Sequence, residues 1–315
     1  MNTAVLFIIF NRADLACAVF EKIREAQPKR LYIAADGPRK DRTDEPEKCE
    51  LTRKSILDMI DWDCELKCKF EDQNLGCKIA VSSAIDWFFS LEEEGIILED
   101  DCLPDATFFR FCEEMLSLYR ANETVRMITG TNFRPSEAAA NTYSFSSCFS
   151  IWGWATWRRA WSSYDVQMKT WKQNLENGSF KRLFEDRRIF YYWHDMFDKV
   201  HGGKIDTWDY QWVYSCLIAK GFSVIPSANL ISNLGFREDA THTRNESNAC
   251  ALIKTTELMF PLKHPDKVEK SINMDDFIYR EIFKVFKKYS YHKRLERYLR
   301  KLIGNLFAAL KSGEN

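Results

Sequence analysis

The stretch Gly95-Ile96-Ile97-Leu98-Glu99-Asp100-Asp101 joins a short apolar run directly to three consecutive acids. A continuous apolar run of this length is typical of a strand that is covered on both faces of a parallel sheet. The acids would then stand at the carboxyl end of the strand, where ligands bind in open α/β sheets. This stretch therefore predicts both the class of fold and the edge of the sheet at which a site would lie.

Strand and helix patterns alternate on both sides of this stretch. Apolar runs predict further strands at residues 4–10 and 31–35, and strands are also predicted near residues 64–70 and at 125–129. Helical spacing of apolar residues predicts helices between the strands, around residues 15–23, 46–60, 77–91 and 105–120. Such a series indicates an α/β fold with a mostly parallel sheet flanked by helices.

The second half of the sequence is dense in aromatic residues, above all at 143–161, a pattern that favours a buried core. Tryptophan faces also stack on sugars, so we expect one or two tryptophans of this block to border an acceptor groove. A helix up to about Lys220 and a strand at 222–225 follow. We interpret this half as an elaboration of the same domain, because no repeat or long Gly/Ser/Pro linker precedes it.

The composition excludes several classes of protein. The 315 residues carry 45 Lys and Arg against 46 Asp and Glu, and this net charge of −1 argues against nucleic-acid binding. The ten cysteines are scattered and form no Cys-x-x-Cys pair, which indicates reduced thiols in a cytoplasmic protein. The apolar run at 4–10 is far shorter than the roughly 20 residues of a membrane-spanning helix.

Polar side chains follow two other predicted strands. Arg12 ends the stretch Phe10-Asn11-Arg12 after the first strand, and Asp36 follows the second strand. There they would hold the base and ribose of a nucleotide, because a carboxylate accepts hydrogen bonds from an imide N–H or ribose hydroxyls. A divalent cation would bridge an acid of the triplet to substrate phosphates. The alternative is that the acids are solvated loop or cap residues and that Asp36-Gly37 is only a turn.

Familiar nucleotide-binding motifs are missing from the sequence. No Gly-x-Gly-x-x-Gly follows the first strand, and no Gly-x-x-x-x-Gly-Lys-Ser/Thr occurs anywhere. Their absence disfavours a dinucleotide enzyme and a P-loop NTPase. The Gly-rich loop that sugar nucleotidylyltransferases carry after their first strand is missing as well.

Five stretches in this order along the chain resemble the GT-A glycosyltransferases: Phe10-Asn11-Arg12, Ala35-Asp36-Gly37, Leu98-Glu99-Asp100-Asp101, Gly153-Trp154-Ala155-Thr156-Trp157 and Trp208-Asp209. The resemblance is closest to the N-acetylglucosaminyltransferase I type and related bacterial nucleotide-diphospho-sugar transferases, and it spans residues 4–243. It implies a GT-A (Rossmann-like) catalytic domain at residues 1–265. Residues 1–135 would form its nucleotide-binding half and residues 136–265 its acceptor half.

The resemblance also implies roles for the polar residues at the strand ends. Asp101 matches the acid that binds Mn²⁺ (or Mg²⁺), which in the family holds the donor diphosphate. Glu99 matches the contact to the donor sugar, and Asp100 lies near the ribose. Arg12 and Asp36 match the residues that contact the nucleotide.

Further roles are implied for the second half of the chain. Asp209 matches the catalytic base, with Trp208 beside it in the donor site, although Tyr210 stands where family members have a second acid. The alternative for Asp209 is a helix N-terminal acid stabilised by the helix dipole. The polar segment after the last predicted strand would order over the donor, with Arg237 at the diphosphate and His242 as a second metal or phosphate ligand. A solvated loop histidine is the alternative.

Residues 266–315 are predicted to form a basic, amphipathic helical tail. Residues 278–311 contain ten Lys and Arg but only two Glu, and apolar residues recur at helical spacing from Leu295. Such a helix lies on an anionic membrane surface or packs on the protein itself. The first possibility fits a lipid-linked acceptor and a peripheral position on the inner face of the cell membrane.

We therefore expect a cytoplasmic, metal-dependent, inverting glycosyltransferase of polysaccharide biosynthesis. Its donor would be a nucleotide sugar, in particular a UDP-sugar, and its acceptor a glycan or lipid-linked glycan. The alternatives are a sugar nucleotidylyltransferase, disfavoured by the missing Gly-rich loop, and a catalytically silent sugar- or membrane-binding module.

Overall fold

The computed structural model describes residues 1–135, 140–236, 253–288 and 299. Its strands are β1 (Ala4–Ile9), β2 (Arg30–Ala35), β3 (Glu65–Phe70), β4 (Glu94–Glu99), β5 (Cys102–Pro104), β6 (Val125–Thr129), β7 (Tyr143–Ser146), β8 (Trp154–Trp157), β9 (Phe222–Pro226) and β10 (Ile231–Asn233). Its helices are α1 (Ala13–Ala26), α2 (Glu45–Asp58), α3 (Cys77–Leu91), α4 (Ala106–Tyr119), α5 (Arg158–Trp161), α6 (Trp171–Glu176), α7 (Arg187–His201), α8 (Asp209–Ile218), α9 (Ile272–Phe277) and α10 (Val285–Lys288). A 3₁₀ turn at Lys181–Leu183 and a π-helical turn at Ile278–Ile282 complete the described elements.

One large sheet has the strand order β3-β2-β1-β4-β8-β6-β9-β7. The pairs β1–β2, β1–β4, β2–β3 and β6–β9 are parallel. The pairs β4–β8, β6–β8 and β7–β9 are antiparallel. Helices flank this sheet. The predicted α/β fold with a mostly parallel sheet is therefore confirmed.

The buried strands explain why the sequence pattern was so clear. All six residues of β1 are buried, and Ile96, Ile97 and Leu98 of β4 are fully inaccessible. A strand covered on both faces must be apolar at every position, so its first polar residue marks its end. The acids after Leu98 and the polar residues after Ile9 therefore emerge together at one edge of the sheet.

A small antiparallel pair lies beside this edge. β5 follows the acid triplet and pairs with β10, with Cys102 opposite Asn233. The pairing brings the residues directly after β10 back to the triplet, although they lie more than one hundred residues further along the chain.

A cluster of tryptophans joins the second half of the chain to the sheet. The rings of Trp154 and Trp208 stack with centroids 5.8 Å apart, and Trp161 and Trp212 lie 5.1 Å apart beside them. Aromatic pairs at this spacing stabilise a core by roughly 0.5–1.5 kcal/mol each beyond the area that they bury. The cluster fixes the start of α8 against β8.

The packed body extends beyond residue 265, where sequence analysis places the start of the tail. Asp275 is 7% exposed and accepts hydrogen bonds from Ser146 and Ser147, and Trp193 Nε1 donates to Tyr279 at 3.1 Å. The stripe from Leu295 onward lies outside the described residues except for position 299. Among the described helices, none is long and apolar enough to cross a membrane.

Candidate active site

A cleft of about 620 Å³ lies at the carboxyl ends of β1, β2 and β4. Seven of the predicted site residues line it, namely Arg12, Asp36, Glu99, Asp100, Asp101, Trp208 and Asp209. Two others, Arg237 and His242, lie outside the described residues. The structure therefore brings the described candidates together from four separate parts of the chain.

Arg12 lies among the acids that follow β4. Its guanidinium pairs with Asp100 through Nε and Nη2, and Nη2 also donates to Asp101 Oδ2 at 3.0 Å. The Asp100 side chain is 5% exposed, whereas those of Arg12 and Asp101 are 22% and 20% exposed. Because a buried carboxylate needs a partner, Asp100 anchors the arginine, while Asp101 faces the cleft.

The acid triplet holds more negative charge than one arginine offsets. Burial raises the pKa of Glu99 well above its ordinary value, and the charges of Asp101 and Asp100 raise it further. Asp209 adds to this effect and Arg12 opposes it. Burial likewise raises the pKa of Asp100 to about 6, against the opposing charge of Arg12. A further cation in the cleft would therefore stabilise the ionised triplet.

Asp36 ties the end of β2 to the start of α3. Its carboxylate accepts hydrogen bonds from the backbone N–H groups of Gly37 (2.8 Å), Leu75 (2.8 Å) and Gly76 (3.2 Å). The Asn74 side chain donates a fourth hydrogen bond at 2.8 Å. A carboxylate offers about four acceptor positions, so this one is fully used within the protein. Asp36 shapes the cleft, and its contact to a nucleotide stays a prediction.

Asp209 reaches the cleft from the first turn of α8. Thr207 Oγ1 donates a hydrogen bond to Asp209 Oδ1. The negative charge of Asp209 also contributes to the raised pKa of Glu99. Trp208 is only 2% exposed, with its ring stacked on Trp154. The Trp208 ring therefore belongs to the core and holds Asp209 at the cleft, while its contact to a donor stays a prediction.

The residues after β10 press against Asp101. Leu234 N donates to the Asp101 carbonyl at 2.7 Å, and Gly235 N donates to Asn233 Oδ1 at 2.8 Å. A Cβ on Gly235 would come within 2.3 Å of Asp101 Oδ2, so only glycine leaves room for this carboxylate. Sequence analysis placed these residues in a polar segment over the donor but did not predict their contact with Asp101.

Sequence analysis missed an ion pair beside β1. Arg39 pairs with Glu45, and Asn11 Nδ2 donates to the same carboxylate at 3.0 Å. The Arg39 guanidinium also lies 5.6 Å from the centroid of the Phe10 ring. Arg39, Asn11 and Phe10 line the cleft. No local pattern signals this pair, because Arg39 comes from an irregular loop and meets the first turn of α2.

The aromatic block contributes Trp152 to the wall of the cleft. Its ring is half-buried and lies edge-on to Phe133 and Phe236, at 5.8 and 5.5 Å between centroids. Trp154 and Trp157 of the same block are at most 1% exposed. Trp152 is therefore the member of this block that we select for the predicted acceptor groove.

No protein-family model matches this sequence, and neither does any curated protein. Solved structures do match it. One is galactosyltransferase LgtC in complex with donor and acceptor sugar analogues, at 10% identity and a TM-score of 0.34, over 55% of this chain and 64% of that chain. A second is a cytidylyltransferase from Leptospira borgpetersenii, at 10% identity and a TM-score of 0.31, over 52% of this chain and 64% of that chain.

A third match is a UDP-glucose pyrophosphorylase complexed with UDP-glucose, at 14% identity and a TM-score of 0.26, over 47% of this chain and 64% of that chain. This chain therefore spans less than two thirds of the length of each of these structures. By name they comprise a glycosyltransferase, a nucleotidyltransferase and a pyrophosphorylase. Similarity at this level does not assign an activity to the chain.

Proposed function

We propose that this chain is a metal-dependent, inverting glycosyltransferase of the GT-A type, related to N-acetylglucosaminyltransferase I and its bacterial counterparts. It would move a sugar from a nucleoside-diphosphate donor, UDP-linked in our proposal, to a hydroxyl of a glycan or lipid-linked glycan. The observation that carries the proposal is one cleft in which the acid triplet at the end of β4 meets Asp209 at the start of α8.

The residues present fit a hard divalent cation at Asp101. Mg²⁺ and Mn²⁺ prefer carboxylate oxygens and commonly share their remaining positions between substrate phosphates and water. Within the described residues no three His, Cys, Asp or Glu side chains are grouped to hold a metal ion by themselves. Asp101 would therefore hold Mn²⁺ or Mg²⁺ together with the donor diphosphate. When bound, this ion would act as a Lewis acid and offset the charge on the leaving diphosphate.

The wall formed by β1 and β2 would hold the nucleotide. Arg12 and Arg39 line this wall, and a guanidinium suits phosphate and planar base edges through its fixed fork of donors. Asn74 stands at the start of α3, held by Asp36. In this arrangement Asp36 positions the loop before α3, and Arg12 contacts the donor directly.

Asp209 would serve as the general base. It would take the proton of the acceptor hydroxyl as that oxygen attacks the anomeric carbon, while the bond from this carbon to the diphosphate breaks. One glycosidic bond forms with inversion, and no covalent intermediate is needed. Burial raises the pKa of Tyr210 to about 12, so this neighbour stays neutral and leaves the base role to Asp209.

The connection between β1 and α1 disfavours a nucleotidylyltransferase. β1 ends at Ile9 and α1 begins at Ala13, so only Phe10-Asn11-Arg12 joins them. This connection contains no glycine, and it occupies the place where a nucleotidylyltransferase carries its Gly-rich loop. We therefore favour the transfer of a sugar over the transfer of a nucleotide.

Calorimetry with a panel of nucleotides and nucleotide sugars tests the proposal, with Mn²⁺ and with a chelator. We expect one UDP-sugar to bind in the presence of Mn²⁺, and we expect Asp101→Asn to abolish that binding. Asp105→Asn is the matched control, because Asp105 accepts a hydrogen bond from Thr107 N at the start of α4. The side-chain amide oxygen of an asparagine at this position can accept the same hydrogen bond, so the variant keeps the helix cap.

Three results would contradict the proposal. The first is the absence of nucleotide binding under every condition, which would favour a silent sugar- or membrane-binding module. The second is equal binding by wild type and Asp101→Asn. The third is formation of a nucleotide sugar and pyrophosphate from a nucleoside triphosphate and a sugar 1-phosphate, which would identify a nucleotidylyltransferase.

A further inference from the structure

Arg12 makes two different contacts with the acid triplet. Its Nε and Nη2 both reach Asp100, a carboxylate that is 5% exposed. Its Nη2 also reaches Asp101 Oδ2, at 3.0 Å, on a side chain that is 20% exposed. The first contact is a buried, two-atom pair, and the second is a single contact at the cleft surface.

The contact with Arg12 occupies one oxygen of the Asp101 carboxylate, a side chain that lines the cleft. Asp101 Oδ2 is bounded on one side by Arg12 and on another by Gly235, whose missing Cβ would lie 2.3 Å away. A divalent cation at this oxygen and a guanidinium 3.0 Å from it would repel each other. The two cations therefore compete for Asp101, whereas Asp100 can keep its pair with Arg12 in either state.

We propose that Arg12 is an internal counter-ion that exchanges its Asp101 contact for a donor phosphate when a divalent cation binds; this inference rests on the proposed donor site. Before binding, Arg12 offsets the charge of Asp101. With a metal ion bound, Asp101 would hold that ion, and the released N–H of Arg12 would turn to the negatively charged diphosphate. Asp100 keeps the guanidinium in place during this exchange.

If this exchange occurs, replacement of Arg12 should have opposite effects on the affinity for Mn²⁺ and on the affinity for UDP. Without Arg12 the triplet lacks its counter-ion, so Mn²⁺ alone should bind more tightly. The donor diphosphate loses a charged hydrogen-bond partner, so UDP in the presence of Mn²⁺ should bind more weakly. An arginine that served only to hold the fold together would change both affinities in the same direction. Because metal and nucleotide affinities are linked, their mutual enhancement should also shrink in the variant.

The test measures Mn²⁺ binding by electron paramagnetic resonance and UDP binding by calorimetry, on wild type and Arg12→Gln. We expect Mn²⁺ alone to bind about tenfold more tightly to the variant, as for removal of one nearby charge at a partly exposed site. We expect UDP with Mn²⁺ to bind about tenfold more weakly. Arg30→Gln is the matched control, because Arg30 pairs with a buried carboxylate, Glu92, that is 6% exposed, and does not line the cleft.

A second pair of variants covers the case in which Arg12→Gln leaves Asp100 unpaired and the protein unfolds. The double variant Arg12→Gln/Asp100→Asn leaves no charge at position 100 without its partner, and its comparison with Asp100→Asn isolates the arginine. Tighter Mn²⁺ binding by the double variant than by Asp100→Asn would support the exchange. Equal or weaker Mn²⁺ binding in both comparisons, or the same gain in Arg30→Gln, would overturn it. A wild type that binds neither Mn²⁺ nor UDP would overturn the donor site itself.

Discussion

Replacement of Gly235 by alanine tests how the cleft holds Asp101. A Cβ at this position would lie 2.3 Å from Asp101 Oδ2 and 3.0 Å from both Asp101 Cγ and Asn233 Oδ1. An ordinary carbon–oxygen contact is about 3.4 Å, so the carboxylate would have to retreat by about 1 Å. A displacement of this size near reacting groups can cost about 100-fold in rate, so we expect kcat/KM for a UDP-sugar to fall by about 10- to 100-fold.

The assay is steady-state release of UDP in the presence of Mn²⁺, with thermal denaturation to show that the variant is folded. Gly203→Ala is the control, because a Cβ there meets nothing within 4 Å but the backbone has φ +70°. It should lose about 1–2 kcal/mol of stability and keep its kinetics. Gly235 lacks a left-handed φ, so Gly235→Ala should keep its stability and lose activity. Unchanged kinetics in Gly235→Ala, or equal kinetic losses in both variants, would refute the reasoning.

Four further predictions follow from the same cleft. Asp209→Asn should lower kcat by at least about 100-fold with donor affinity unchanged, as measured by kinetics and calorimetry; a normal kcat would exclude it as the base. Thr207→Val should lower kcat by about tenfold, because the carboxylate of Asp209 loses its hydrogen bond, whereas Thr207→Ser should retain activity; equal losses would contradict this role. Trp152→Ala should raise the acceptor KM by about tenfold and leave the donor KM unchanged; an effect on the donor alone would place the acceptor elsewhere. Burial raises the folded-state pKa of Glu99, so its ionisation opposes folding, and this loss of stability grows as pH rises from the ordinary pKa to the raised one and is constant above it. Glu99→Gln should therefore raise the melting temperature of the metal-free protein at about pH 8 and have little effect at about pH 4; the same change at both would contradict the pKa argument.

The parallel part of the sheet could be predicted almost residue by residue. β6 and α3 have the bounds that the pattern indicates, Val125–Thr129 and Cys77–Leu91. Burial on both faces leaves the central strands β1, β2 and β4 almost entirely apolar between their ends, so these ends are visible in the sequence. β8 could not be predicted in the same way. Its residues, Trp154–Trp157, lie in an aromatic block, and only tertiary pairing with β4 and β6 makes them an antiparallel strand.

The residues of the candidate site also differ in whether the sequence could predict them. Arg12 and Asp101 were identified because parallel strands deliver their following residues to one edge. The contact of Gly235 with Asp101 was not predicted, because it depends on the pairing of β10 with β5. Arg39 was missed although its partner Glu45 lies only six residues away, because Arg39 comes from an irregular loop without a periodic pattern. Local sequence places the groups that we propose for the chemistry, whereas the groups that position them depend on loop conformation and on tertiary pairing.

The most direct test of the proposed donor site is a crystal structure of the protein with Mn²⁺ and UDP, using anomalous scattering to locate the metal. The account predicts Mn²⁺ bound to Asp101 and to the diphosphate, with the nucleotide along the wall formed by β1 and β2. It also predicts Arg12 on Asp100 and the phosphate, no longer on Asp101. Nucleotide bound outside this cleft, or Mn²⁺ bound without contact to Asp101, would contradict the proposed donor site.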